Sequence, residues 1–491
     1  MNIYAPFVAR ARTSPHAVAV LTPRGVLTYA ELERAVSWTA AGLRRAGVAS
    51  GDHVGILLMH QVQYLVTSLA LAEIGAGQLA LQPRDPPKLI DELRRKLKLV
   101  GTVAAQPSGI AGSRIEPPPA SLGELKALGG HAADLASDGS LPFMLKRSSG
   151  TTSAMIKIAI LTHAMGVPPA AAFPRELPRG ADCRFLPFPP LSFAAAMNHV
   201  PRVLSNGSCL ALADGITEPG AMVEFIRQHR INFVAGGPTH AAALLMAAKP
   251  GSLLLPGLAL RVGTTLVHDE LRRAILGLLT HNLYVMYSIS ETGGLSAAAP
   301  ALVRRQPGTV GHAMPGVQIE IMDEEGKALP PGKRGRLRAR TPWMVRGYVD
   351  DPEETRRAFR DGWFYSGDLV EMRSDGELIH HGRADDMMIF DGLNITPAEI
   401  EQTLLRHAAV AEAAAFGIPS NVRGSIPVAA VVLKAKCTIH ELHGHCASWL
   451  GALRPVEIIV LPSLPRNAVG KVLTRELVSR YRAARKNEAV K

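Results

Sequence analysis

The chain has 491 residues, too many for one compact core, and its 47% hydrophobic and 20% charged content describes a globular protein of two or more domains. A net charge of +12 suits association with polyanions such as ATP, coenzyme A or an acidic carrier protein, whereas 5% aromatic residues argue against a stacking platform for nucleic acid. The first residues lack the unbroken apolar core of a signal peptide, no stretch is apolar for long enough to span a bilayer, and four scattered cysteines suit reduced thiols, so a cytoplasmic protein is expected.

In chain order, residues 28–48 open with Thr28 and Glu31 in capping-box register and continue with apolar residues at helical spacing. Residues 53–59 read as a strand, 63–77 as a helix ending in glycines, and 78–83 as another strand. Strand, helix and strand in that order predict a βαβ unit on a parallel sheet and an α/β fold. The stretch 106–123, rich in Pro, Ser and Gly, reads as a surface loop. Residues 231–248 predict a strand, a turn and a helix, and 283–294 a strand running into a polar loop. From Gly308 shorter strands and more turns mark a β-rich subdomain with hairpins. Beyond Arg383 helix and strand alternate again over enough residues for a small domain, so the expected division is 1–383 and 384–491.

Within that last part, "CTIHELHGHC" (437–446) sets His440, His443 and His445 between two cysteines. Its spacing matches no common zinc pattern, and the favoured reading is a helix with Leu442, Cys446 and Trp449 on one buried face.

Five polar clusters stand out: "SSGTTSAMIK" (148–157), "YSISETGG" (287–294), "GWFYSGDL" (362–369), "GRADDMMIFDGLNITPAEIE" (382–401) and "PRNAVGKVLTREL" (465–477). Any one of them alone reads as a turn. In this order and spacing they resemble the adenylate-forming superfamily of acyl-CoA synthetases, peptide-synthetase adenylation domains and luciferases, over residues 27–477. The resemblance implies a large N-terminal domain of parallel α/β subdomains plus a β-rich subdomain, with a small mobile C-terminal α+β domain. It also implies two reactions: a carboxylate attacks the α-phosphate of ATP, giving acyl-AMP and pyrophosphate, and a thiol then displaces AMP.

The same resemblance assigns roles. Ser148, Ser149, Gly150, Thr151 and Thr152 would clasp the β- and γ-phosphates, with Lys157 adding positive charge. This loop departs from the family pattern: Ser153 and Ile158 replace glycines, and one extra residue precedes Lys157. Tyr287 would stack on adenine, Ser290 would touch the α-phosphate and Glu291 would hold Mg²⁺, while Gly263, Thr264 and Thr265 would border adenine and the acyl pocket. Asp368 would accept from the ribose hydroxyls, Arg383 would contact ribose or phosphate, and Asp385 falls at the hinge. Lys471 would contact the carboxylate and phosphate oxygens in the adenylating pose, and Gly392 would later let a pantetheine arm pass.

Segments 193–199 and 233–240 are candidate acyl-pocket walls. They carry no acidic residue placed to hold an ammonium group, which favours an uncharged aliphatic or aryl carboxylic acid. The expected activity is an acid–thiol ligase using ATP, Mg²⁺ and coenzyme A. Loading of a carrier-protein phosphopantetheine, or a non-catalytic nucleotide-binding relative, are the alternatives.

Overall fold

The computed structural model describes residues 1–488 except 84, 106–112, 131–132, 148–156, 167–171, 264, 391–392, 421–423 and 468–469. Among the described residues no helix is long and apolar enough to cross a membrane.

The first sheet is built on the predicted βαβ unit. Strands His53–Leu57 and Gly77–Ala80 pair in parallel, with helix Gln61–Ile74 as the crossover. That helix is buried on nearly every side, which explains a sequence without a polar face. Gly101–Ala104 and Pro142–Arg147 extend the sheet in parallel, and Ile158–Thr162 closes one edge antiparallel. Helix Tyr29–Arg45 packs against Gln61–Ile74. Its start is fixed by the expected capping box: Thr28 Oγ1 accepts from the Glu31 amide at 3.2 Å, and Glu31 Oε2 from the Thr28 amide at 2.7 Å. The stretch 106–123 differs in part from the loop expected. Arg114–Ile115 adds an edge strand and Leu122 begins a short helix, because the Ser121 hydroxyl caps the Glu124 amide.

A longer sheet forms the rest of the large domain. Cys209–Ala211, Arg184–Pro187, Phe233–Gly236, Ala259–Val262 and Leu283–Ile289 lie side by side in parallel. Their apolar runs match strands covered on both faces. Gly293–Ala298 then turns antiparallel, and Thr309–Ala313, Leu378–Arg383, Trp363–Met372, Arg334–Arg340 and Gln318–Met322 continue as the expected β-rich part.

A third sheet lies beyond Arg383. Val410–Ser420 and Gly424–Leu433 form a long hairpin, flanked by Met388–Phe390 and Glu457–Val460. It has its own core, with Ile395, Ile400, Leu404, Val431, Leu442 and Cys446 buried. Helix Ile439–Leu450 takes up the histidine-rich stretch and starts at a Thr438–Glu441 capping box. Trp449 departs from expectation: it is 61% exposed, because the helix packs through Leu442 and Cys446 and leaves the indole under the Arg406 guanidinium, 5.1 Å away.

Candidate active site

A cavity of about 1690 Å³ opens between the large domain and the small C-terminal one. Pro187, Gly236, Gly263 and Ser290 reach it from the carboxyl ends of neighbouring parallel strands, where open α/β sheets place their ligands. Gly263 is required by the packing there, since a Cβ would lie 2.8 Å from the Met286 carbonyl oxygen. Thr265, exposed, borders the cavity beside it.

Asp368 is the best-defined anion of the site. It is 5% exposed on strand Trp363–Met372, directly opposite Arg383 on strand Leu378–Arg383. Arg383 Nη1 donates to Asp368 Oδ1 at 3.0 Å, the Tyr287 hydroxyl donates to Oδ2, and His380 Nε2 lies 3.8 Å from Oδ2. Burial alone would raise the Asp368 carboxyl; His380, Arg383 and Tyr287 outweigh it and hold the group below the usual aspartate range. The Tyr287 hydroxyl is pushed well up by burial and by Asp368, so it stays a donor. Its ring lies 5.3 Å from the His380 ring.

Glu291 occupies the turn between antiparallel strands Leu283–Ile289 and Gly293–Ala298 and is buried. The Tyr348 hydroxyl donates to its Oε1 at 2.8 Å. Lys146, 5% exposed, donates to the Ser290 carbonyl at 3.4 Å. Burial pushes the Lys146 ammonium down to about 8, against the opposing pull of Glu291. Among the described residues no three His, Cys, Asp or Glu side chains converge as a metal cage. A single carboxylate with one oxygen engaged fits an Mg²⁺ that arrives on ATP, ligated mostly by phosphate and water.

Lys157 lines the same cavity but points at an acid. Its ammonium donates to Glu354 Oε1, lies 5.4 Å from the centre of the Tyr348 ring, and shares Glu354 with Arg357, whose Nη2 is 2.7 Å from Oε1. Ser148, Ser149, Gly150, Thr151 and Thr152 lie outside the described residues, as do Thr264 and Gly392.

Lys471 enters from the small domain. Its amide donates to Asn467 Oδ1 at 2.9 Å and its carbonyl accepts from the Asn467 amide at 2.9 Å, a turn that presents the side chain to the cavity. Burial lowers the ammonium from its ordinary value, while Asp386 and Asp368 favour its charge. The structure thus brings Tyr287, Ser290, Glu291, Asp368, Arg383 and Lys471 to the lining of one cavity.

Sequence reasoning missed Lys146, Tyr348, His380, Arg202 and Arg261. A lysine inside "FMLKR" and an arginine inside "LALRVG" are charges within apolar strands, and that anomaly was the available signal. Tyr348 and His380 carried none, because their partners are set by tertiary structure.

Residues 7–349 match the AMP-binding enzyme family and residues 399–471 the AMP-binding enzyme C-terminal domain. Feruloyl-CoA synthases of an Amycolatopsis and a Streptomyces species are 31% identical over 96% of this chain and 98% of theirs. The salicyl-AMP ligase / salicyl-S-ArCP synthetase of Mycobacterium tuberculosis is 28% identical over 92% of this chain and 85% of its own. Among solved structures, ATP-bound MatB from Rhodopseudomonas palustris superposes with a TM-score of 0.86 at 23% identity, over 98% of each chain.

Proposed function

The chain belongs to the AMP-binding enzyme family, and from that premise we propose that it activates a carboxylic acid with ATP as acyl-AMP and transfers the acyl group to coenzyme A. The observation that carries this reading is the cavity shared by Glu291, Tyr287, Asp368 and Arg383 of the large domain with Lys471 of the small one. Asp368 and Arg383 suit a ribose and phosphate, and the Tyr287 ring suits adenine. Glu291 suits Mg²⁺ carried on the nucleotide, and Lys146 is a second cation beside it. The Lys471 ammonium can lie between a carboxylate and the α-phosphate, orienting two anions that otherwise repel and stabilising the charge that builds on phosphorus. In this arrangement Lys157 adds charge to pyrophosphate only by leaving Glu354. The proposed boundary of the moving domain is 383/384, at the end of strand Leu378–Arg383.

The test is pyrophosphate exchange across a panel of carboxylic acids, followed by AMP release with coenzyme A. Wild-type enzyme should exchange, and Lys471→Ala should lower exchange at least a hundredfold, as expected for loss of a charge that acts on the transition state. The same variant should still convert supplied acyl-AMP and coenzyme A to thioester. Exchange unaffected by Lys471→Ala would sink the assignment of that residue. A second reading, in which the acceptor is a carrier-protein phosphopantetheine, is favoured by likeness to the salicyl-S-ArCP synthetase. Acyl-AMP formation without any coenzyme A thioester would select it.

A further inference from the structure

Arg261 lines the cavity and Arg202 lies behind it, and among the described residues neither has a carboxylate partner. Arg261 lies on strand Ala259–Val262, at the centre of the parallel sheet, where Ala235 and Tyr284 pair on either side. Such a position is normally apolar. Arg261 is half-buried and lines the cavity. Among the described residues its Nη1 finds only the Met286 sulfur, 3.7 Å away, and its Nε is buried without a partner. A thioether is a weak acceptor.

Arg202, 8% exposed, backs this group from helix Val200–Ser205. Its guanidinium lies 4.5 Å from the centre of the Phe173 ring, its Nη2 is 3.3 Å from His199 Nδ1, and its Nε has no partner. Burial first, then Arg261 and Arg202, push His199 well below its ordinary value, so the ring is neutral. Since Arg202 can only donate, His199 Nδ1 accepts and the ring proton sits on Nε2. Among the described residues neither arginine forms an ion pair with Asp or Glu. Burial and the like charge of Arg202 bring Arg261 down to about 9. Two neighbouring cations with no carboxylate partner among the described residues are a costly arrangement that folding alone does not require.

We propose that the acid this enzyme activates is a dicarboxylate, whose second carboxylate is held by Arg261 at the end of the acyl cavity, with Arg202 and His199 as positioning residues. This rests on the ligase reading and replaces the uncharged acid expected from sequence. A planar carboxylate matches the guanidinium fork in a bidentate pair, which a hydroxyl or ether cannot do. A monoacid of the same length leaves the cations unpaired, and sites built around such groups reject the analogue that lacks the partner.

The experiment compares matched acids: succinate against butanoate, adipate against hexanoate, and 4-carboxycinnamate against 4-methylcinnamate. Adenylation is read by pyrophosphate release and binding by calorimetry with AMP present. At least one diacid should exceed its partner a hundredfold in kcat/KM and bind tighter. Arg261→Met should erase or invert that preference with the KM for ATP unchanged, and Arg261→Lys should restore part of it. Arg202→Met should give a smaller change in the same direction, which keeps the test usable if Arg261→Met fails to fold. Monoacids used as well as or better than every diacid would overturn the dicarboxylate site while leaving the ligase intact. Neither turnover nor calorimetric preference with any acid would overturn both.

Discussion

Asp368 meets two donors before any nucleotide arrives, Arg383 and the Tyr287 hydroxyl, with His380 Nε2 3.8 Å from Oδ2. A ribose must therefore compete for one carboxylate, and what it gains is an ionised acceptor already fixed in position. Asp368→Asn removes the charge and leaves Arg383 facing a neutral amide. Loss of a charge-assisted hydrogen bond costs about 1.5–3 kcal/mol, so kcat/KM for ATP should fall roughly ten- to a hundredfold, read by pyrophosphate release. Tyr287→Phe keeps the ring and frees Oδ2, and should change the same parameter less than about threefold. The pH dependence has a definite sign. Because its neighbours hold Asp368 below the usual aspartate range, it stays ionised as pH falls through that range. The KM for ATP should therefore stay flat from neutral pH down to about 4, the ordinary aspartate value, and rise only below it. A KM climbing between pH 6 and 5 would contradict the cluster.

Lys157 owes its partner to the elements around it. It immediately precedes strand Ile158–Thr162, whose first carbonyl accepts from the Val349 amide at 2.8 Å. That bond brings in helix Pro352–Ala358, whose Asp351 cap holds the Glu354 amide at 3.0 Å and sets the Glu354 side chain beneath the lysine. With Glu354 also bound by Arg357, each of the two cations already has an anionic partner without phosphate. Lys157→Ala should then slow adenylation less than about tenfold, far less than Lys471→Ala, when both are assayed by pyrophosphate exchange; a hundredfold loss would mean the pair opens in each turnover. Such relations mark the limit of what the sequence discloses. The βαβ unit, the Thr28–Glu31 capping box and the hairpins were legible because each rests on residues a few positions apart, and Tyr287, Glu291, Asp368 and Lys471, singled out by the family resemblance of their motifs, all line the cavity. The Lys157–Glu354 pair joins residues 197 apart, and Arg261 and Arg202 come near each other only once strand Ala259–Val262 and helix Val200–Ser205 are packed together. Trp449 was misplaced for a related reason: helical periodicity gives the stripe, and the packing partner decides how far round the helix it extends.

At the scale of the molecule, the site joins residues of both domains, and on the proposed reading it is complete only while the small domain is docked. Among the described residues, Arg334 Nη1 lies 3.5 Å from Glu399 Oε1, and the Gly470 turn packs against Thr239 of helix Pro238–Leu245. The second of these contacts places Lys471, the next residue, in the cavity. Gly470 has φ +82°, and a Cβ there would lie 1.8 Å from Thr239 Oγ1. Both facts demand glycine, but only the second belongs to the docked pose. Gly470→Ala should therefore separate the two half-reactions. The left-handed backbone costs an alanine about 1–2 kcal/mol wherever the domain sits, while the clash acts only when Lys471 is delivered. Adenylation should drop at least a hundredfold, whereas thioester formation from supplied acyl-AMP and coenzyme A should change less than about threefold. Thr239→Gly removes the hydroxyl that the new methyl meets. Combined with Gly470→Ala, and compared with Thr239→Gly alone, it should restore about tenfold of the lost adenylation. A double variant no better than Gly470→Ala would assign the defect to backbone strain in the turn instead of to docking against helix Pro238–Leu245.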